Sequence, residues 1–187
     1  MTTLDDIRGS LPEYARDLKL NLGSVLATTG APGLSDRQIW AVALASAIAS
    51  RNPSFAREIE TLAAVHLDAA YINGAKAAAA IMGMNNIYYR FLHLVEDPEY
   101  AQLPARLRMN VIGNPGIDKQ DFELLSLAVS AITGCGTCVA SHERVLRKHG
   151  WGREPVQSAV RIAATIHAVA RVLEDEASQS AARREAA

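Results

Sequence analysis

The sequence predicts an all-α protein with a single helical domain, residues 1–174, followed by a polar tail, residues 175–187. Three observations lead to this fold class. Alanine is abundant while aromatic residues make up only 5% of the chain, a composition that favours helices packed through small side chains. Apolar residues recur at intervals of three and four, which is the spacing of one helix face. Proline and glycine interrupt that pattern where helices are expected to end.

Four helices are predicted in the first half of the chain. The first spans residues 4–22 and carries one apolar stripe. After a loop rich in glycine and proline, Ser35 is a candidate N-cap for a second helix, whose apolar residues run from 39 to 48. An Asn-Pro break follows, and Ser54 is the candidate cap of the third helix. An alanine-rich helix over residues 74–94 completes this half.

The second half repeats this pattern. Asp118 is the candidate cap of its first helix, and an alanine-rich helix over residues 156–173 resembles the earlier one. Ser130-Ala131-Ile132 also matches Ser46-Ala47-Ile48, which lies 84 residues earlier. We therefore predict two pseudo-repeated helical halves.

Charge and hydropathy argue against several classes of protein. The formal net charge of −1 provides no attraction for nucleic acid or for an anionic membrane. No uninterrupted apolar run reaches the ~18 residues of a spanning helix. Residues 1–10 include Asp5, Asp6 and Arg8 where a secretory signal would need a basic start and an apolar run. We therefore expect a cytoplasmic protein, in a compartment that disfavours structural disulfides.

The two cysteines, Cys135 and Cys138, are therefore better explained by chemistry than by structure. Gly134 and Gly136 permit a sharp turn around them, and residues 139–148 follow with a helical pattern. The pair is thus predicted at or just inside a helix N-terminus. Free amide groups and the helix dipole stabilise a thiolate there, and the thiolate is the reactive form of a side chain whose ordinary pKa is about 8.5.

A histidine and a carboxylate are placed to assist the pair. His142 lies four residues after Cys138, on the same face of the predicted helix. It can take the thiol proton or stabilise the thiolate. Glu123 lies in an otherwise apolar stretch, where an unpaired carboxylate would be costly. We expect Glu123 to orient His142.

Two other uses of a Cys-x-x-Cys pair are less well supported. A structural zinc site needs four ligands, whereas Cys135, Cys138 and His142 supply three and no second cysteine pair exists. Haem attachment needs a histidine directly after the second cysteine, where this chain has Val139. No metal and no bound cofactor is therefore expected.

Taken together, these residues resemble the alkyl hydroperoxidase D family, which belongs to the wider carboxymuconolactone decarboxylase-like fold. The resemblance spans most of the chain and is far more specific than the Cys-x-x-Cys alone. It rests on Leu11–Ala15, Lys19–Leu22, Ala80–Asn86, Leu107–Asn110, Asn114–Gly116, and Phe122–Leu124 leading to Cys135.

The resemblance implies an all-α subunit that assembles as a homotrimer and reduces alkyl hydroperoxides and an oxidised partner peroxiredoxin, the alkyl hydroperoxidase C protein (AhpC). Electrons would come from a dihydrolipoyl group on a lipoylated acyltransferase. Cys138 matches the peroxidatic cysteine that becomes a sulfenic acid. Cys135 matches the resolving cysteine that closes the Cys135–Cys138 disulfide, and Glu123 and His142 match the proton relay.

The residues alone leave the order of the two cysteines open. The first thiol of such a pair is often the more exposed and nucleophilic, whereas the position of His142 favours Cys138. Both arguments hold if Cys138 meets peroxide while an accessible Cys135 meets protein or lipoyl partners. The catalytic half would then be residues 115–174, with Arg51–Ser54 standing in place of the Cys-x-x-Cys in a scaffold half.

One departure and one alternative function bear on this reading. Some family members carry histidine just before the second cysteine, where this chain has Thr137, which cannot act as a base near neutral pH. We expect activity with an altered pH dependence or rate. The alternative is a thiol-based redox sensor or adaptor of the same fold with little peroxide turnover. Ring-lactone decarboxylases of that fold do not depend on a Cys-x-x-Cys, so its presence argues against that branch.

Overall fold

A computed structural model describes residues 2–185, and this part of the chain folds into ten α-helices without a β-strand. The predicted all-α class is confirmed. A short 3-10 turn, Glu13–Ala15, lies between the first two helices. The helices are α1 (Leu4–Ser10), α2 (Arg16–Val25), α3 (Asp36–Ala49), α4 (Pro53–Ala63), α5 (Ala69–Leu94), α6 (Pro98–Gln102), α7 (Asn110–Gly113), α8 (Lys119–Thr133), α9 (Gly136–Lys148) and α10 (Arg153–Glu185).

The predicted single helix over residues 4–22 is wrong, because the chain breaks after Ser10. Leu11 adopts an extended conformation, as expected of a residue that precedes proline. Its side chain is nevertheless buried, like those of Ala15 and Leu22. The apolar stripe therefore records which side chains enter the core, while Pro12 decides where the helix ends.

Side-chain caps set the start of most helices that surround the core. Ser35 caps α3 through a capping box with Gln38, and Asp118 caps α8, as predicted. Asn52, rather than the predicted Ser54, caps α4, because Pro53 occupies the first helical position. The helix predicted from residue 74 begins five residues earlier, at Ala69, with Asp68 as its cap.

The last helix continues to Glu185, so the predicted end near residue 173 is wrong. Residues 175–185 contain neither proline nor glycine and are rich in alanine, glutamate and arginine, which favour helix. Tyr14 donates a hydrogen bond to Glu176 at 2.8 Å, which ties this segment to the N-terminal part. Residue 1 of the predicted domain and residues 186 and 187 of the predicted tail lie outside the described residues.

The core forms around α3 and α8, which pack on each other and on α5 and α10. Nearly all residues of the middle of α3 and of α8 are buried, including Ile39, Leu44, Phe122 and Leu125. Burial on all sides explains why both helices read as continuous apolar runs rather than as stripes. The end of α8, where the two cysteines follow, is thereby anchored in the core.

The predicted internal repeat appears in the order and spacing of the helices. The helices α3, α4 and α5 start at residues 36, 53 and 69, and α8, α9 and α10 start at residues 119, 136 and 153, which is 83, 83 and 84 residues later. Both halves therefore present a helix, a short turn, a second helix and a long third helix in the same register.

The turns between the first two helices of each half also correspond in detail. Arg51 has a φ of 61°, and Gly134, 83 residues later, has a φ of 72°. The next residues, Asn52 and Cys135, both cap the following helix through their side chains. The counterpart of the Cys-x-x-Cys is therefore Asn52–Phe55, one residue later than the predicted Arg51–Ser54. The reason is that the two N-cap residues correspond at an interval of 83 residues, whereas the repeated Ser-Ala-Ile tripeptides lie 84 residues apart.

Among residues 2–185, none of the helices combines the length and the apolar character needed to cross a membrane.

Candidate active site

The two cysteines lie in the turn that joins α8 to α9, as predicted from the glycines around them. Gly134 ends α8 in the left-handed conformation, which glycine adopts without the steric cost that a side chain would add. Cys135 is the N-cap of α9, and its Sγ accepts a hydrogen bond from the Cys138 amide at 3.3 Å. Cys135 and Cys138 are joined in a disulfide, so the structure represents the oxidised form.

The two sulfurs differ in their surroundings. Cys135 is completely buried at 0% exposure, whereas Cys138 is 6% exposed and lines a cavity of about 430 Å³. The expectation that Cys135 is the accessible member is therefore wrong for the oxidised form. The N-cap position explains the difference, because it turns the Cys135 sulfur inward over the first turn of α9.

The expected partnership of His142 and Glu123 is present. His142 Nδ1 lies 2.6 Å from Glu123 Oε2, and both side chains are largely shielded from solvent. Because the carboxylate occupies Nδ1, the other ring nitrogen, Nε2, remains for chemistry in the cavity that His142 shares with Cys138. The four residues singled out from the sequence are thus brought together at the junction of α8 and α9.

The cavity walls come from segments that are remote in sequence. The cavity is lined by side chains of α5, of α7 and its preceding residue, of α8 and of α9. Half of these side chains are polar or charged, although most of the wall surface is apolar. The lining residues are Met82, Asn85, Asn86, Tyr89, Met109, Ile112, Glu123, Thr137, Cys138, Ser141, His142 and Val145. Thr137 is exposed at the rim of this site. Such walls suit a molecule with an apolar body and one reactive polar end.

Sequence reasoning did not identify the residues of α5 as part of the site. The available signal was that residues 80–86 and 107–110 carried the family resemblance without having a chemical role of their own. The structure explains both segments, because Met82, Asn85 and Met109 line the cavity beside Cys138.

A hydrogen-bond network from α5 holds the turn before the cysteines. Asn86 Nδ2 donates to Thr133 Oγ1 at 2.7 Å, and Ser130 Oγ donates to Asn86 Oδ1 at 3.1 Å. Arg90 Nη1 donates to the Thr133 carbonyl oxygen at 2.6 Å. The backbone amide of Cys135 donates to the Ser130 carbonyl oxygen at 3.1 Å. The end of α8 is therefore held by side chains of α5 and by the backbone bond between Cys135 and Ser130, which together fix the position of Cys135.

Within residues 2–185, no three or more histidine, cysteine, aspartate or glutamate side chains are grouped so that they could hold a metal ion. The three potential zinc ligands of the sequence, Cys135, Cys138 and His142, do not form such a group.

Comparisons with known proteins identify relatives of this chain. Residues 98–178 match the carboxymuconolactone decarboxylase family. A protein of Rhodospirillum centenum named alkyl hydroperoxide reductase AhpD is 54% identical over 178 residues, covering 95% of this chain and 94% of the relative. Proteins with the same name from Streptomyces griseus and Maricaulis maris are each 55% identical over 174 residues. These alignments cover 93% of this chain and 97% and 99% of the relatives, respectively.

Proposed function

Because the chain belongs to the alkyl hydroperoxide reductase AhpD family, within the carboxymuconolactone decarboxylase superfamily, we propose that it is a thiol peroxidase that reduces alkyl hydroperoxides. The observation that carries this proposal is the Cys135–Cys138 disulfide at the wall of an apolar cavity, beside the His142–Glu123 pair. A redox pair, a proton relay and room for an alkyl chain are the parts that such a reaction needs.

In the first half-reaction, the Cys138 thiolate attacks the terminal oxygen of the hydroperoxide. The new S–O bond forms as the O–O bond breaks, so the sulfur is oxidised to a sulfenic acid and the peroxide is reduced to an alkoxide. Protonated His142 supplies the proton that converts the alkoxide to an alcohol. Glu123, hydrogen-bonded to Nδ1, orients the ring and stabilises its charged form.

In the second half-reaction, the thiolate of Cys135 attacks the sulfur of the Cys138 sulfenic acid. The S–S bond forms, the S–O bond breaks, and the departing hydroxide takes the proton that the Cys135 thiol released, which gives water. Two thiols and one hydroperoxide thus yield one disulfide, one alcohol and one water. Of the two cysteines, only Cys138 is partly exposed and lines the cavity. This difference supports the division of roles, since a peroxide in the cavity can reach the Cys138 sulfur.

A dithiol must then reduce the disulfide, and we propose a dihydrolipoyl group on an acyltransferase as the donor, with the peroxiredoxin AhpC as a protein that the enzyme regenerates. The proposed compartment is the cytoplasm.

The proposed assembly is a homotrimer, which is supported by exposed apolar side chains on α5 and after α6, including Ile87, Leu94 and Leu103. Burial between subunits would remove such a surface from water.

The test is hydroperoxide consumption in the presence of dihydrolipoamide. We expect Cys138→Ser to abolish consumption and Glu123→Gln to lower its rate at least about tenfold, because His142 loses the carboxylate that orients its ring. Asp36→Asn is the matched control, since Asp36 Oδ2 makes the same kind of bond to His66 Nδ1, at 2.5 Å, outside the cavity. That variant should keep the wild-type rate.

Full activity in Cys138→Ser would refute the proposed chemistry. Stoichiometric disulfide formation with peroxide, followed by no turnover with dihydrolipoamide or another dithiol, would instead identify a redox sensor.

A further inference from the structure

Asn85 carries a polar atom that the fold leaves unused. The side chain, on α5, is only 4% exposed, and its Oδ1 has no hydrogen-bond partner anywhere in residues 2–185. The adjacent Asn86 differs completely, since its Nδ2 donates to Thr133 and its Oδ1 accepts from Ser130. Of two neighbouring buried asparagines, one is tied into the fold and the other is not.

An unpaired buried oxygen is costly to keep. Such a group loses its hydrogen bonds to water on burial and gains none in return, and native proteins contain few of them. The other unpaired side-chain oxygens found within residues 2–185, on Ser46 and Ser126, do not line the cavity beside Cys138, whereas Asn85 does. The position of Asn85 therefore associates its cost with the site rather than with packing.

We propose that the Asn85 amide binds the hydroperoxide group of the substrate, an inference that rests on the proposed function. One edge of an amide presents an acceptor oxygen beside a donor nitrogen. A hydroperoxide presents the complementary pair, a terminal O–H that donates and an adjacent oxygen that accepts. Two parallel hydrogen bonds can therefore form. The terminal torsion of asparagine is broad, so rotation about this torsion can bring the edge of the amide toward the cavity.

This pairing assigns Asn85 a place in the first half-reaction. Oδ1 accepts from the terminal O–H and so holds that oxygen for attack by Cys138. Nδ2 donates to the second oxygen, on which negative charge develops as the O–O bond breaks. His142 still supplies the proton, and Asn85 undergoes no net change. A donor aimed at developing charge in a largely apolar cavity stabilises the transition state.

The decisive variant is Asn85→Leu, which keeps the approximate size and removes both polar atoms. The measurement is the second-order rate of thiol loss when the prereduced enzyme reacts with cumene hydroperoxide. We expect this rate to fall about 10- to 100-fold, as for the loss of one or two hydrogen bonds to a charged group. Reduction of the Cys135–Cys138 disulfide by dithiothreitol should stay within about twofold of wild type, since it uses no hydroperoxide.

Ser46→Ala is the matched control, because it also removes an unpaired buried oxygen but lies away from the cavity. It should react with peroxide at the wild-type rate. If Asn85→Leu does not yield folded protein, Asn85→Asp carries the same test, since it keeps the size and loses the donor, and the same loss is expected.

The outcomes separate the inference from the function. Wild-type protein that reacts with peroxide while a folded Asn85 variant reacts within threefold of it overturns the role of Asn85 alone. Prereduced wild-type protein that does not react with hydroperoxide overturns the proposed function, and the role of Asn85 with it. A parallel loss in the peroxide and dithiothreitol reactions overturns the inference as well, because that pattern indicates a disturbed disulfide.

Discussion

Asn86 connects α5 to the end of α8, and its replacement by alanine tests how the turn before the cysteines is held. The side chain is almost completely buried and makes two hydrogen bonds across the helix interface, to Thr133 at 2.7 Å and from Ser130 at 3.1 Å. Asn86→Ala removes both bonds at once and leaves the rest of α5 unchanged.

The expected loss follows from what each partner keeps. Each lost hydrogen bond is worth about 1 kcal/mol net. Thr133 retains the Val129 carbonyl oxygen as an acceptor at 3.1 Å, whereas the fully buried Ser130 hydroxyl loses its acceptor. With the small cavity left by the truncation, we expect the free energy of unfolding to fall by about 2–4 kcal/mol. The melting temperature should fall by roughly 5–15 °C.

Urea denaturation at one fixed protein concentration measures this loss. Asn73→Ala is the control, because Asn73 lies on the same helix and is exposed, so its loss should stay within about 0.5 kcal/mol. A loss below about 1 kcal/mol for Asn86→Ala, or equal losses for the two variants, would refute the argument that this side chain fixes the turn.

Further predictions concern the stability of the fold at residues that do not line the cavity, namely Tyr71 and two glycines. Tyr71 donates to the buried Asp121 carboxylate at 2.7 Å, so Tyr71→Phe should lower the free energy of unfolding by about 1–3 kcal/mol in urea denaturation near neutral pH. Burial, together with the bond to Asp121, raises the pKa of Tyr71 above its usual 10.0. The contribution of Tyr71 to the free energy of unfolding should therefore be constant below pH 10 and should fall as the pH rises beyond it. A Tyr71→Phe difference that grows above pH 10 would contradict this sign. Gly33 and Gly150 have similar positive φ angles, 80° and 86°. A Cβ added at Gly33 would lie 2.9 Å from the Pro155 ring, whereas a Cβ added at Gly150 would meet no atom within 4 Å. Gly150→Ala should therefore cost about 1 kcal/mol and Gly33→Ala clearly more, and equal losses in thermal denaturation would show that the proline contact is unimportant.

Local patterns were enough to predict the geometry around the two cysteines. The glycines beside the cysteines predicted the turn, the spacing of four predicted that His142 shares a helix face with Cys138, and the cost of an unpaired carboxylate predicted a partner for Glu123. Each of these arguments concerns neighbours in sequence or one buried charge, and the structure has the corresponding turn and the 2.6 Å contact.

The rest of the site depends on packing between distant segments. Met82 and Asn85 line the same cavity as Cys138 because α5 packs on both α8 and α9. Nothing in the periodicity of an alanine-rich helix distinguishes the side chains that face such a cavity from those that face the core. The burial of Cys135 was missed for a related reason, since exposure at a helix start depends on what the N-cap side chain bonds to.

The enclosure of Cys135 has a kinetic consequence. Of the two cysteines, only Cys138 lines the cavity, so in the proposed cycle a peroxide and a reducing dithiol must enter through the same opening. One reactant has to leave before the other can enter, and the proposed cycle then follows a ping-pong scheme. Double-reciprocal plots at several dithiol concentrations should be parallel, and excess dithiol should compete with peroxide. The buried thiol would thus make the enzyme alternate strictly between its two substrates.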